Sequence, residues 1–382
     1  MNGEGCRMSE TKLIVTNRCN LNCSYCYEKN KSNEKMSKQV VIGILDSIIE
    51  SSQPKGKIDL SFHGGEPLLE FELIKFATKY LKEGGKNKNL DYRFSLTTNG
   101  TLVNEDIANY FFENNFRVKV SLDGKEDTHN LNRKTIDNKN TYNKVIKAIH
   151  LLNDKKCNLS IRMTVTPKTV DKFVENVRWL REEGFMDISA IPDSFADWSG
   201  KYEELEDAYS KIEKDYIDSL DKSRFYFSMF DGKISQYIQT CEPRFCNAGF
   251  GHFVINPDGN LYPCAYVIDN KEFCLGKIEG NIDKKKRCDT FSKYIVKDDK
   301  CKKCSIAHFC QGRKCSFNNY ISTGYLNLSD EFWCIHENIL YKIIGEIVDE
   351  LCKKQDSTIM KMLDCIKTNP QIIPNKTVIK YL

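Results

Sequence analysis

"VTNRCNLNCSYCYEKN" (residues 15–30) sets Cys19, Cys23 and Cys26 within eight residues, directly after the apolar run "KLIVT" (12–16). An apolar run of that length reads as a buried strand, so the cysteines occupy the loop that leaves it. Three thiols make an incomplete set. Tetrahedral zinc usually takes four ligands, and a cubane iron–sulfur cluster has four corners. Either a fourth ligand comes from elsewhere in the chain, or one metal position is left open.

Working outward from that strand, five more runs carry strand patterning. They are "KIDLSFH" (57–63), "YRFSLTTN" (92–99), "RVKVSLD" (117–123), "SIRMTV" (160–165) and "MDISAI" (186–191). Between them lie helical stripes, the first made by Val40, Val41, Ile44, Leu45, Ile48 and Ile49 and the last by "VDKFVENVRWLREEG" (170–184) with its closing glycine. Six alternations predict an α/β fold with a parallel sheet, curved as a partial (β/α)6 TIM-like barrel over residues 1–194. A Tyr-rich helical connector spans 195–240, and a cysteine-rich domain with a closing helix (331–354) fills 241–382. "HFVINPDGNLYPC" (252–264) reads as a hairpin around Pro-Asp-Gly. Chemistry in parallel α/β folds gathers at the C-terminal ends of strands. Cys19, "HGGEP" (63–67), "TTNG" (97–100) and "SLDG" (121–124) all stand there.

The 382 residues are 40% hydrophobic and 29% charged, with a net charge of +4, an ordinary globular balance that lacks the concentrated basic face of a nucleic-acid binder. No stretch has the apolar length of a membrane span, and "MNGEGCRMSE" has no signal-peptide core. These features predict a cytoplasmic chain that binds neither nucleic acid nor membrane. Reducing cytoplasm leaves 17 cysteines needing a reason other than disulfides, and metal is the first candidate.

A Cys-x3-Cys-x2-Cys loop can hold three corners of a [4Fe–4S] cube and leave one iron free to bind a small molecule. The competing reading is a zinc site completed by a distant cysteine or histidine. "CNLNCSYC" resembles the signature of the radical SAM superfamily, which has an aromatic residue before the last cysteine. The resemblance implies that S-adenosylmethionine (SAM) chelates the open iron and is cleaved to a 5′-deoxyadenosyl radical. "HGGEP" resembles the family's second motif. By the same likeness Tyr25, Gly65, Glu66, Asn99, Ser121 and Arg133 are the SAM-contacting residues.

Toward the C-terminus, "CKKCSIAHFCQGRKC" (301–315) combines with Cys334, and upstream with Cys241, Cys246 and Cys264. This arrangement resembles a SPASM domain, which carries two auxiliary clusters. The likeness implies one [4Fe–4S] cluster on Cys241, Cys246, Cys264 and Cys315, and a second on Cys301, Cys304, Cys310 and Cys334. Paired zinc knuckles are the alternative.

Two groups of SPASM enzymes fit. Anaerobic sulfatase maturases convert Cys or Ser to formylglycine and carry an aspartate, acting as base, directly after the "YPC" cysteine. This chain has Ala265 there. "FHGGEPLLEF" and "SLTTNGTLVNEDI" look more like maturases of Cys-rich ribosomal peptides, which form thioether cross-links. The expected enzyme is therefore a radical SAM oxidoreductase acting on a Cys-containing precursor peptide. It uses three [4Fe–4S] clusters, SAM and an electron donor such as flavodoxin or ferredoxin, with leader recognition in its own C-terminal part, in the helical connector or in a separate leader-binding protein. The sequence does not identify the catalytic base. Sulfatase maturation is the second reading, and a non-catalytic electron-transfer protein is the reading from another class.

Overall fold

The computed structural model describes residues 10–28, 31–240, 246, 248–277, 284–292, 299–369 and 371–381. They fall into two compact units: Met1–Leu122 with His129–Ser160 and Asn247–Lys293, and Asp123–Thr128 with Ile161–Cys246 and Tyr294–Leu382.

In the first unit β1 (Glu10–Thr16), β2 (Lys57–Gly64), β3 (Asp91–Thr98) and β4 (Arg117–Ser121) are parallel neighbours. The register aligns Leu13 with Phe62, Phe62 with Leu96, and Leu96 with Val118. All four side chains are buried, so one row across the sheet forms a continuous apolar layer. Burying each such side chain contributes roughly 1.5–3 kcal/mol. Along β2 the alternation is strict: Ile58, Leu60 and Phe62 are buried, while Asp59, Ser61 and His63 on the other face stay partly open.

The crossovers are helical, as the stripes predict. Helix Lys38–Ser51 starts where the Ser37 side chain accepts from the Val40 amide, and buries Val41, Ile44, Leu45 and Ile48. Helices Phe71–Gly84, Glu105–Glu113 and Tyr142–Asp154 follow β2, β3 and β4.

The hairpin read in the cysteine-rich region forms as β8 (His252–Ile255) and β9 (Leu261–Tyr262), with Gly259 at φ +81° in its turn. It does not stand apart from the sheet. β8 pairs in parallel with β1, Leu13 opposite Ile255, and so covers an edge that would otherwise offer unpaired backbone groups.

The second unit holds residues 161–165 of β5 (Asn158–Val165), β6 (Asp187–Pro192) and β7 (Tyr226–Phe227), again parallel. Helix Phe173–Glu182 precedes Gly184, whose φ of +85° supplies the left-handed stop that the sequence predicts. The Tyr-rich connector is helix Tyr202–Ser219, with Leu205, Tyr209, Ile212 and Tyr216 buried. Its partner in the same unit is helix Glu331–Lys353, which buries a dozen residues and continues the expected closing helix.

One acid sits in that packing. Glu213 is only 4% exposed and shares a hydrogen bond with Glu346; burial, and then Glu346 itself, push its carboxyl up to about 8. A folded-state pKa above the unfolded one means that the native state binds the extra proton. Its stabilisation is complete below about pH 4.5 and is lost as pH rises through about 8. We expect the wild-type protein to lose roughly 1–3 kcal/mol between pH 6 and 9 through this group, and Glu213→Gln to flatten that slope. Parallel denaturation curves for the two proteins across that range would remove the assignment.

Candidate active site at the strand ends

The chain leaving β1 is fastened before it reaches the cysteines. The Gly65 amide donates to the Thr16 carbonyl (3.0 Å) and the Glu66 amide to the Arg18 carbonyl (2.8 Å). That approach needs two glycines. A Cβ on Gly64, whose φ is +140°, would stand 2.1 Å from the Thr16 carbonyl oxygen, and one on Gly65 would stand 2.3 Å from that of Arg18.

The cysteine loop is held from the far side by the segment after helix Glu126–Asn132. The Asn22 amide donates to the Lys134 carbonyl (2.8 Å), the Ser24 amide to the Asn132 carbonyl (3.0 Å), and the Ser24 hydroxyl to Asn132 Oδ1 (2.7 Å). The Cys26 amide closes a turn on the Cys23 carbonyl at 3.2 Å, and the Leu21 amide donates to Cys19 Sγ at 3.4 Å. The Arg133 guanidinium lies over the Tyr25 ring, 5.2 Å from its centroid. Two residues more than a hundred positions apart thus form one wall.

Glu66 is fully buried. Its Oε1 accepts from the Leu68 amide (3.0 Å) and the Thr98 hydroxyl (2.7 Å), and its Oε2 from the Asn99 amide (2.7 Å). Burial pushes the carboxyl up to about 7 against the pull of these three donors. Three of roughly four lone-pair sites are taken, so Glu66 first of all ties the end of β2 to the end of β3. Asn99 passes the tie onward: its Nδ2 donates to Asn20 Oδ1 (2.8 Å), and its Oδ1 accepts from the Thr101 amide (3.0 Å) and hydroxyl (2.7 Å). Thr98 and Asn20 carry this network and went unread in the sequence, where nothing but adjacency to Asn99 and Cys19 marks them. Ser121 closes β4 and is 7% exposed; Arg133 is 6% exposed.

Cys19, Cys23, Cys26, Tyr25, Gly65, Glu66, Asn99, Ser121 and Arg133 therefore belong to one unit, around the ends of β1 to β4. Burial pushes the Cys19 thiol up to about 11. Such a thiol is a poor nucleophile at neutral pH, whereas bound iron would draw off its proton. Three thiols on one short loop, beside two glycines and a buried carboxylate, fit a three-ligand cluster and its small-molecule partner. Among the described residues, no three Cys, His, Asp or Glu side chains converge tightly enough to enclose a single ion.

In the second unit the Cys246 amide donates to the Lys314 carbonyl (3.1 Å), and Cys246 lies close enough to Cys315 to act on its charge. Burial pushes Cys315 up to about 11 and Cys310 up to about 12. The Cys304 amide bonds the Cys301 carbonyl (3.4 Å), Cys310 ends a turn on Ile306 (3.0 Å), and Cys334 opens the closing helix. Cys264 belongs to the first unit, immediately after β9. Cys241 lies outside the described residues. No described helix is long and apolar enough to cross a membrane.

Comparison with known proteins supplies the family. Residues 13–180 match the radical SAM superfamily, and residues 246–305 match SPASM, an iron–sulfur cluster-binding domain. A cysteine-type anaerobic sulfatase-maturating enzyme of Clostridium novyi is 30% identical over 334 residues, covering 78% of this chain and 85% of the relative. The radical SAM cyclopropyl synthase TigE of Paramaledivibacter caminithermalis is 23% identical, covering 81% and 68%. Among solved structures, native anSMEcpe with bound AdoMet and the Cp18Cys peptide superposes with a TM-score of 0.75 at 24% identity, covering 87% of this chain and 96% of that one, a likeness of fold.

Proposed function

We infer the activity from the family to which this chain belongs: it is a radical SAM enzyme, an oxidoreductase-type maturase with a SPASM iron–sulfur domain. In our reading Cys19, Cys23 and Cys26 hold a [4Fe–4S] cluster, and Tyr25, Gly65, Glu66, Asn99, Ser121 and Arg133 surround SAM. Together these groups, when bound, supply a 5′-deoxyadenosyl radical that abstracts hydrogen. The chain's own residues orient and shield. The tie from Glu66 through Asn99 to Asn20 fixes the loop around the cysteines, and the Arg133–Tyr25 pair forms its opposite wall. Two further clusters are assigned to Cys241, Cys246, Cys264 and Cys315, and to Cys301, Cys304, Cys310 and Cys334. An external donor such as flavodoxin or ferredoxin supplies electrons.

The substrate in this reading is a Cys-containing peptide, and the product an intrapeptide cross-link, a Cys thioether. The observation that carries it is Ala265. It follows Cys264 directly and opens a short 3-10 turn to Val267, so the sequence position at which sulfatase maturases carry their aspartate base holds a methyl side chain. Formylglycine formation on a sulfatase is the second reading, and the identity shared with the Clostridium novyi enzyme favours it.

Reconstituted protein incubated anaerobically with SAM and dithionite is expected to release 5′-deoxyadenosine and to contain about twelve iron atoms, four for each cubane. With a Cys-rich precursor peptide, mass spectrometry should find two hydrogens lost per cross-link. An unchanged precursor alongside formylglycine on a sulfatase peptide would reverse the order of the two readings.

A further inference from the structure

A buried ion pair brackets one of the auxiliary-cluster cysteines. Lys233, on helix Ser228–Ile238, is 9% exposed, and Glu337, on helix Glu331–Lys353, is 1% exposed. Lys233 Nζ donates to Glu337 Oε2 at 2.5 Å and to the Phe309 carbonyl at 3.0 Å. The same Oε2 accepts from the Gln311 amide at 2.9 Å. Phe309 and Gln311 flank Cys310, so the peptide groups on both sides of that thiol are gripped by one pair of charges. Cys334 stands three residues before Glu337 on the same helix face. Behind the pair, Glu337 Oε1 meets His336 Nδ1 (3.2 Å), and His336 Nε2 meets the Tyr209 hydroxyl (2.9 Å), both residues buried. Burial pushes the Glu337 carboxyl up, but Lys233 and His336 outweigh it and hold the group ionised.

Ion pairs this deep rarely stabilise a fold more than apolar side chains of equal size would, because desolvating both charges offsets their attraction. This pair is also aimed at backbone. Its two charges act on Cys310 with opposite sign, Glu337 against its ionised form and Lys233 for it.

We propose that Lys233 and Glu337 are positioning residues of the auxiliary cluster held by Cys301, Cys304, Cys310 and Cys334: they fix the Cys310 ligand and balance the charge beside the cluster. This rests on the cluster assignment above. A balanced pair leaves the reduction potential nearly untouched, whereas removal of either partner leaves a single buried charge beside the iron. Glu337→Gln leaves the ammonium uncompensated and makes the cluster easier to reduce. Lys233→Met leaves the carboxylate and makes it harder to reduce.

The test is an anaerobic redox titration of full-length reconstituted protein, followed by electron paramagnetic resonance, with iron counted in each sample. Each variant should shift the auxiliary reduction equilibrium about tenfold, 59 mV for one electron, in opposite directions. Lys233→Arg, which keeps charge and donors, should stay near wild type. Shifts of the same sign, or none with iron retained, would overturn the proposal. If Lys233→Met does not fold, Glu337→Gln decides alone, since it is isosteric and keeps an oxygen for the Gln311 amide: an upward shift supports the proposal and no shift overturns it. Wild-type protein holding only about four iron atoms per chain would remove the cluster assignment itself, and this inference with it.

Discussion

Cys23→Ala is expected to reduce 5′-deoxyadenosine formation by roughly a thousandfold or more while leaving the fold intact. The backbone of the loop does not depend on that thiol. Its carbonyl still accepts from the Cys26 amide, and the contacts of Asn22 and Ser24 with Lys134 and Asn132 remain. What is lost is one of three thiolates, and a cube held by two has too few anchors to persist. Iron should fall by about four per chain, with the auxiliary cysteines still loaded, and the thermal midpoint should move little. Cys19→Ala and Cys26→Ala should behave alike. A Cys23→Ala protein that still cleaves SAM at a wild-type rate would end the three-thiolate reading.

The second large effect belongs to Glu66. Glu66→Ala strands three donors in a dry interior, the Leu68 and Asn99 amides and the Thr98 hydroxyl. At about 1–3 kcal/mol for each buried group left unsatisfied, with relaxation recovering part, the loss should be roughly 3–5 kcal/mol of stability. Glu66→Gln keeps one oxygen acceptor but turns an NH2 group toward a donor, and should cost roughly 1–3 kcal/mol. Because Asn99 and Asn20 are tied through Glu66, SAM affinity should fall in both variants, and more in the alanine one. Denaturant titration paired with calorimetric SAM binding separates the two effects. A Glu66→Ala protein of unchanged stability would mean that the three hydrogen bonds do not join β2 to β3 as described.

Much of this was legible from residue patterns. Strand alternation set which side chains of β2 are buried, because successive residues of a strand point to opposite faces. The helical stripes had only one apolar side to bury. The glycine after helix Phe173–Glu182 takes the left-handed conformation that its position predicts. The cysteine triplet was readable because its three thiols are neighbours in sequence. The buried pair of Lys233 and Glu337 was not. Lys233 is one polar residue among helical positions, and "CIHENIL" (334–340) looks like any amphipathic turn until the chain folds back to bring together two positions 104 apart in sequence.

Local order thus determined by itself the strand–helix alternation, the parallel sheet and the grouping of three cysteines on one loop, since each depends on periodicity or spacing within a few residues. Tertiary structure alone decided that Glu66 spends its carboxylate on Thr98, Leu68 and Asn99, that Arg133 covers Tyr25, and that β8 joins the sheet beside β1. The physical reason is that burial and hydrogen bonding act through space. A charged side chain announces neither its partner nor its dryness until the chain has closed around it.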